Sequence, residues 1–276
     1  MTTWIHALIL GIIEGITEFL PVSSTGHLLL AEKLQWAPHQ SDLFNIVIQC
    51  GAVIAVVPLF PERVRQVFRF FHDPVARDYV LKVTLAFFIT GVGGLVMNKL
   101  GFKLPETALP ITLALIIGGM AFIIIELWLS KRQTSNTVTW TAAVLVGIAQ
   151  LVAAGFPGTS RSGACIIFLL VLGLNRPLAT EFSFLVGVPT MMAAGALKIF
   201  EALHPKHDAL HPVVASAPEN WKMLALCTLI SAVVSFIAVK WLLRYVQTHS
   251  FLGFGYYRIL LGAAVAVMLI TKTIPA

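Results

Sequence analysis

The sequence predicts an all-α polytopic membrane protein, an inverted repeat in which each half has one re-entrant helical hairpin and three transmembrane helices. The first observation is composition: the 276 residues are 58% hydrophobic and 12% charged, with a mean hydropathy of +0.87, unlike soluble domains. The second is a set of six apolar runs beside two shorter ones. The third is a pattern of residues that recurs in both halves.

The six apolar runs predict membrane-spanning helices, which need about 20 predominantly apolar residues. They cover residues 44–60, 80–97, 109–129, 182–199, 223–243 and 257–270. The shorter stretches, 4–19 and 138–154, each run into a proline, a small-residue turn and a second short helix. Irregular backbone at membrane depth is tolerated only inside protein or beside a wet cavity. We therefore expect two re-entrant hairpins whose tips meet near the membrane midplane.

The recurring pattern predicts a single integral membrane domain, 1–276, with internal repeats of about 1–135 and 136–276. Because three crossings per unit is an odd number, the second copy must enter from the opposite side, which places the site at the repeat interface. The repeated positions lie at an offset of 136: Gly11, Glu14, Pro21, Ser23 and Ser24 correspond to Gly147, Gln150, Pro157, Thr159 and Ser160.

Basic residues at loops and span ends predict the orientation, because cytoplasmic loops are richer in Lys and Arg. Eleven on one face against seven on the other make the first face cytoplasmic and place both termini outside the cytoplasm. The eleven are Arg63, Arg65, Arg69, Arg77, Lys82, Lys131, Arg132, Arg176, Lys240, Arg244 and Arg258; the seven are Lys33, Lys99, Lys103, Lys198, Lys206, Lys222 and Lys272.

The net charge of +6 and pI of about 9.4 do not indicate nucleic acid, because the basic residues are scattered over short loops. Anionic lipid headgroups are the expected partners. The three cysteines, Cys50, Cys165 and Cys227, lie in apolar segments without metal-ligand spacing. They are interpreted as free small hydrophobic residues.

Glu14 and Glu18 are spaced so that both carboxylates lie on one helix face, where like charges repel. Two carboxylates with room for water and phosphate oxygens suit a divalent cation, Mg²⁺ or Ca²⁺. The alternative is a structural pair held by neighbouring backbone or by an arginine. From the spacing alone, the two interpretations stay open.

The segment after Pro21 presents hydroxyls and backbone amides at the start of a second helix, a favourable place for phosphate. The candidates are Ser23, Ser24, Thr25 and Gly26. If that helix begins near Ser24, His27 lies on the same side as the Ser24 hydroxyl and can act as its base. The alternative is helix capping by a serine with a buried, hydrogen-bonded histidine.

Arg161 supplies a positive charge at the second tip, and its guanidinium matches phosphate oxygens. An anion nest around it would be completed by Thr159, Ser160, Ser162 and the backbone of Gly158 and Gly163. Alternatively, Arg161 pairs with Glu14 or Glu18 and closes the two tips. Both arrangements can occur, before and after ligand binding.

The segments EGITEFLPVSSTGH and PGTSRSGA closely resemble the two signature segments of the undecaprenyl-pyrophosphate phosphatase family, also called bacitracin-resistance proteins. The resemblance covers the whole chain, including the later FSFLVGVP stretch. It implies an enzyme that removes the terminal phosphate of the C55 isoprenoid diphosphate, regenerating the carrier used in bacterial cell-wall synthesis and conferring bacitracin resistance.

Carried onto matching positions, the resemblance implies metal or catalytic carboxylates at Glu14 and Glu18, a nucleophile and base at Ser24 and His27, and a phosphate clamp at Arg161. It also implies a multi-pass protein of the bacterial cytoplasmic (inner) membrane, with the active site opening to the extracytoplasmic side. A homodimer is compatible with these features. Cys165 departs from the threonine common in related sequences, which affects a peripheral tip contact.

A lipid transporter or flippase is the alternative function, because inverted repeats with broken helices are typical of transporters. The site favours an enzyme, since a Ser/His pair beside two carboxylates has no evident purpose without bond cleavage. Both functions together remain compatible with the sequence.

Overall fold

In the computed structural model, residues 2–38, 40–102, 107–130, 133–204 and 220–274 are described and contain eleven α-helices. In chain order, α1 to α11 are Thr2–Thr17, Ser24–Lys33, Asp42–Val56, Pro61–Phe68, Pro74–Lys99, Ala108–Leu129, Trp140–Gly155, Arg161–Val171, Arg176–Leu203, Trp221–Thr248 and Leu252–Ile270. Across these ranges six helices are long and apolar enough to span a membrane: α3 with the 3₁₀ turn after it, α5, α6, α9, α10 and α11. The predicted all-helical architecture with six spans is confirmed.

Capping side chains explain where the helices begin. The Ser41 hydroxyl accepts the Phe44 N–H at 3.0 Å at the start of α3, and the Asn175 side chain accepts the Leu178 N–H at 2.8 Å at the start of α9. The end of α1 differs from the expectation, since the helix stops at Thr17 and Pro21 lies in the following turn. These boundaries leave α1 and α2 separated by an irregular segment that carries Glu18.

Two short helix pairs, α1 with α2 and α7 with α8, each pack together. The segment before the second pair lies beside the segment after it, because the Ser135 N–H donates to the Gly173 carbonyl at 2.8 Å and the Asn175 N–H donates to the Ser135 carbonyl at 3.0 Å. At the first pair, Ala7 before the tip and Ala37 after it belong to one buried apolar cluster.

Helix packing shows an exchange pattern between the halves. Helix α1 packs on α10 and α7 packs on α5, while α10 also contacts α3 and α5 also contacts α9. Helices α3 and α9 contact each other, and so do α6 and α11. The matching helices of the two halves are α1 and α7, α3 and α9, α5 and α10, and α6 and α11. When each helix is replaced by its match, every one of these contacts is reproduced.

Several basic residues differ from the expected placement at a membrane face. Arg258 is fully buried within α11 and Lys82 is 8% exposed within α5. Arg258 therefore leaves the count for the richer face, which becomes ten against seven. The amphipathic helix α4, which carries Arg63 and Arg65, is an element that the sequence reasoning did not predict. Four counted residues lie outside the described residues: Lys103, Lys131, Arg132 and Lys206.

The interpretation of the cysteines is confirmed, because Cys50, Cys165 and Cys227 are all free and buried.

Candidate active site

The two polar tips meet at a cavity of about 210 Å³. Residues from both tips, from the short helix α7 and from three spanning helices line it, so the structure joins two motifs that are far apart in sequence. The lining residues are Glu18, Ser23, Ser24 and Thr25 from the first tip, Ala153, Ala154, Pro157, Gly158, Ser160 and Arg161 from the second, and Gln49, Thr90, Gln150, Thr190 and Met191 from α3, α5, α7 and α9.

Each tip starts its second helix with a serine in an unusual backbone conformation, φ 75° at Ser23 and φ 68° at Ser160. Positive φ is strained for a residue other than glycine, so the surrounding contacts must hold it. Each hydroxyl accepts the N–H of the glycine three residues later, Gly26 at 3.3 Å and Gly163 at 3.1 Å. These two amides serve the helix caps, which differs from the expected role of Gly26 and Gly163 as phosphate ligands.

The two caps change the alignment of the two halves at the tips. Ser23 and Ser160 are 137 residues apart, whereas the sequence pattern predicts an offset of 136. The second tip is therefore one residue longer. By this alignment, Ser24 and Arg161 occupy equivalent first positions of α2 and α8.

Glu18 links the two tips through one carboxylate. The Ser24 hydroxyl donates to its Oε2 at 2.8 Å, and Arg161 Nη2 donates to its Oε1 at 3.2 Å. The Glu18 and Arg161 side chains are only 6% and 14% exposed. The arginine thus forms the ion pair considered above as an alternative, and it also borders the cavity. A buried pair of this kind is costly unless both partners are fully bonded, so an incoming anion can compete for the guanidinium.

The Arg161 guanidinium is held by a close-fitting environment. It lies 5.5 Å from the ring centroid of Phe19, and its Nη1 makes a long contact of 3.5 Å with the Ser183 carbonyl. Gly187 on α9 provides the space, because a Cβ at this position would overlap the guanidinium. A glycine is therefore required here by close approach rather than by backbone conformation.

Glu14 is fully buried in α1, one turn before Glu18. In the part of the chain that the structure describes, neither of its carboxylate oxygens has a hydrogen-bond partner, and the group interacts electrostatically with Glu18 and Arg161. An unpartnered buried carboxylate is costly. Glu14 does not line the cavity itself, but a carboxylate beside Glu18 has the chemistry of a ligand for the expected divalent cation. Since the described residues hold no cluster of three His, Cys, Asp or Glu side chains, the other ligands would be hydroxyl, amide, water or phosphate oxygens.

His27 does not form the expected pair with Ser24. Its Nδ1 lies 2.7 Å from the Ser23 carbonyl oxygen and its Nε2 lies 2.7 Å from the Tyr257 hydroxyl, so both ring nitrogens are engaged. The imidazole borders a separate, mainly apolar cavity, which Tyr257 also lines. In this structure, Glu18 rather than His27 is the acceptor for the Ser24 hydroxyl proton.

Four other predicted phosphate ligands, Gly26, Thr159, Ser162 and Gly163, do not line the cavity. Ser162 is buried and its hydroxyl donates to the Glu18 carbonyl at 3.2 Å, which connects a side chain of the second tip to the backbone of the first. Thr25 is exposed at the cavity as expected.

Sequence reasoning gave no functional role to several polar residues of the helices around the two tips. Gln150 Nε2 donates to the Thr90 hydroxyl at 2.8 Å, and both residues border the cavity together with Gln49. Arg258 lies behind the tips and binds their main chain. Their common signal in the sequence is a polar side chain isolated within an apolar span.

Comparison with known proteins gives matches over nearly the whole chain. A family model described as "Bacitracin resistance protein BacA" matches residues 7–264. A protein of Rhizobium johnstonii named undecaprenyl-diphosphatase is 51% identical over 98% of this chain and 99% of its own length. A protein of Xanthomonas euvesicatoria with the same name is 44% identical over 98% of both chains.

Proposed function

This chain belongs to the bacitracin resistance protein BacA family, and from that membership and the chemistry of the cavity we propose that it hydrolyses undecaprenyl diphosphate. The products are undecaprenyl phosphate and inorganic phosphate, which recycles the lipid carrier of cell-wall synthesis and confers bacitracin resistance. The observation that carries the proposal is the bridge from Ser24 through Glu18 to Arg161 across the two tips. It brings a hydroxyl, a carboxylate and a guanidinium together at one cavity, which supports their roles as nucleophile, proton acceptor and anion ligand.

The proposed reaction begins when the diphosphate enters the cavity and takes Arg161 from its ion pair with Glu18. The released carboxylate then accepts the proton of the Ser24 hydroxyl, or of a water in its place. The oxygen bonds to the terminal phosphorus while the bond from that phosphorus to the prenyl phosphate oxygen breaks, and undecaprenyl phosphate leaves. If water is the nucleophile, this step also gives inorganic phosphate. If Ser24 is the nucleophile, a water then attacks the phosphoserine, inorganic phosphate leaves, and the proton held by Glu18 returns to the Ser24 oxygen. Phosphoryl transfer depends mainly on positioning and charge neutralisation, which matches a site built from two helix N-termini and one arginine. His27 would hold the first tip through the Ser23 carbonyl.

A divalent cation, Mg²⁺ or Ca²⁺, is part of the proposal, held by Glu14 and Glu18. When bound, it would neutralise negative charge on the diphosphate oxygens. The unpartnered carboxylate of Glu14 supports this assignment. Without a cation, two acidic side chains would repel an anionic substrate.

The proposed topology is an inverted repeat with two re-entrant hairpins in the cytoplasmic membrane. The exchange pattern of helix contacts and the return of the chain at Ser135 and Gly173 support it. We place the α4 side in the cytoplasm by its arginines. The cavity would then open to the extracytoplasmic side, since Thr90 lies closer to the Lys99 end of α5 than to its Pro74 end.

A second groove of about 290 Å³ suits the prenyl chain of the substrate. Helices α5 and α9 line both spaces at neighbouring turns: Phe87 borders the groove and Thr90 the cavity, and Pro189 borders the groove and Thr190 the cavity. Pro189 lacks an N–H inside α9, which loosens the helix where the two spaces meet. The head group in the cavity and the chain in the groove would match an amphipathic substrate.

Phosphate release from undecaprenyl diphosphate tests the function, using purified protein in detergent with and without EDTA. We expect cation-dependent release by the wild type, and a loss of about a hundredfold or more in Ser24→Ala. The matched control is Gly94→Ala, whose added methyl group meets no atom within 4 Å. Folded wild-type protein that releases no phosphate would instead favour lipid transport.

A ligand without a chain tests the groove. Filling it with Val83→Trp should raise KM for the C55 diphosphate by about tenfold, the lower end for a changed apolar contact, and leave the Kd of inorganic pyrophosphate nearly unchanged, because pyrophosphate has no chain. Val92→Trp, at an exposed position of the same helix, is the control. Equal changes for the two ligands would exclude the groove as the chain site.

A further inference from the structure

Arg258 is a fully buried arginine that binds only main-chain oxygens. Its guanidinium donates to the Pro21 carbonyl at 3.3 Å in the first tip, and to the Gly158 and Thr159 carbonyls at 3.1 Å in the second. Two further bonds, to the Ala114 carbonyl at 2.9 Å and the Leu115 carbonyl at 3.4 Å, attach it to α6. One side chain of α11 therefore connects both tips to the α6–α11 pair.

No acidic side chain forms an ion pair with Arg258 among the residues that the structure describes. A charged group this deep in a membrane protein is expensive unless its charge has a use. The nearest place where the charge could act is the cavity, because Arg258 binds the carbonyl of Gly158 and Gly158 lines that space. The positive charge of Arg258 remains available to stabilise an anion bound between the tips.

The carbonyl bonds also determine how the second tip faces its ligand. In a trans peptide, the carbonyl oxygen and the N–H of the next residue point in opposite directions. Because the Thr159 carbonyl points at Arg258, the Ser160 N–H points away from it, and Ser160 borders the cavity. Ser160 has the strained positive φ, so the bond to the preceding carbonyl helps to hold that conformation.

We propose that Arg258 is a positioning residue for phosphoryl transfer. It turns the carbonyl groups of both tips away from the substrate and keeps Ser24 and Arg161 in register across the cavity, with its own charge adding to the attraction of the diphosphate. The inference rests on the proposed function for its catalytic part. Its binding part, the affinity of the cavity for a diphosphate group, does not depend on turnover.

Two variants separate this role from a purely structural one. Arg258→Lys keeps the charge but cannot reach all five carbonyl groups from one ammonium. Gly118→Ala keeps Arg258 itself and shifts it, because a Cβ at Gly118 would overlap the guanidinium. The overlapping atoms belong to the end of a flexible side chain, so the helix can accept the methyl group. Gly94→Ala is the matched control, since its methyl group meets open space.

The experiment measures kcat and KM for undecaprenyl diphosphate, binding of inorganic pyrophosphate by calorimetry, and the melting temperature in detergent. We expect kcat to fall by about a hundredfold in Gly118→Ala, the effect of a displacement of about 1 Å at a reacting group. The pyrophosphate Kd should rise about tenfold, for one weakened charge-assisted contact, and the melting temperature should stay near that of the control. Arg258→Lys should change kcat in the same direction and by a smaller factor.

Wild-type kcat and pyrophosphate affinity in folded Gly118→Ala would overturn the proposal, as would a loss of activity that follows only the melting temperature. If Arg258→Lys does not fold, Gly118→Ala decides the question. If the wild-type protein binds pyrophosphate but releases no phosphate, the proposed hydrolysis fails while the positioning role is still judged by the change in Kd.

Discussion

Ser23 and Ser160 start their helices with nearly the same φ and ψ, 75° and 99° against 68° and 113°, and each hydroxyl caps a glycine three residues later. The chemistry around these matched backbones differs. The first tip contributes two carboxylates and a hydroxyl, whereas the second contributes Arg161 and, at the position equivalent to Glu14, the neutral Gln150. The two tips share the backbone conformation at a helix N-terminus. Their side chains differ, so the first tip is suited to bind a cation and the second to bind an anion.

This division has a physical reason. Two identical acidic tips would repel each other and the diphosphate, and two identical basic tips would repel in turn. Glu18 and Arg161 instead attract each other and link the two tips beside the cavity. The predictions below either remove the difference between the tips or test what the tips share.

The largest effect is expected when the first tip is made to resemble the second at the carboxylate position. Glu14→Gln should lower cation-stimulated phosphate release by about a hundredfold or more, because the cation loses a carboxylate ligand. The remaining activity should no longer respond to EDTA. The control, Gly94→Ala, adds a methyl group that meets no atom within 4 Å and should keep the full response. An EDTA response of wild-type size in Glu14→Gln would exclude Glu14 as a ligand.

A smaller loss is expected when Arg161 is displaced without being replaced. The methyl group of Gly187→Ala would overlap the guanidinium, so we expect kcat/KM to fall between about tenfold and a hundredfold. Stability should change little, because the flexible side chain can move aside. Gly94→Ala again serves as the control. Unchanged kinetics in a folded Gly187→Ala protein would show that the exact place of Arg161 is unimportant.

The smallest effect concerns what the tips share. Ser23→Ala and Ser160→Ala each remove a cap, and each should lower the free energy of unfolding by about 1 kcal/mol. Thermal unfolding in detergent would measure the two losses side by side. Similar values would support the equivalence of the tips, and a large loss for only one of them would mean that its serine holds more than a helix start.

The sequence predicted much of this fold because hydrophobicity in a membrane protein is a one-dimensional signal. The six spans, the two short helix pairs and the free cysteines needed only run lengths and turn residues. The site segments were also visible, since Glu18 and Arg161 stand out in apolar surroundings. Arg258 was misplaced because its position, just inside a span, resembles a membrane-face anchor until the helix boundaries are known.

The pairing within the site was harder to predict. The spacing of Ser24 and His27 favours a hydrogen bond between them, yet the histidine bonds to the Ser23 carbonyl and to Tyr257, which is 230 residues away. Nothing in the local sequence contains that partner. The same holds for Gly187. A side chain there would overlap Arg161, which lies on another helix.

By itself, the sequence determined that this chain is a helical membrane protein with two polar tips carrying carboxylates, hydroxyls and an arginine, because composition and spacing are local properties. Only the tertiary structure decided that Glu18 joins Ser24 to Arg161, that His27 faces another cavity and that Arg258 holds both tips. These contacts connect residues about a hundred or more positions apart, or they select one of several neighbours that a side chain can reach. Such choices depend on how helices pack, which no local pattern encodes.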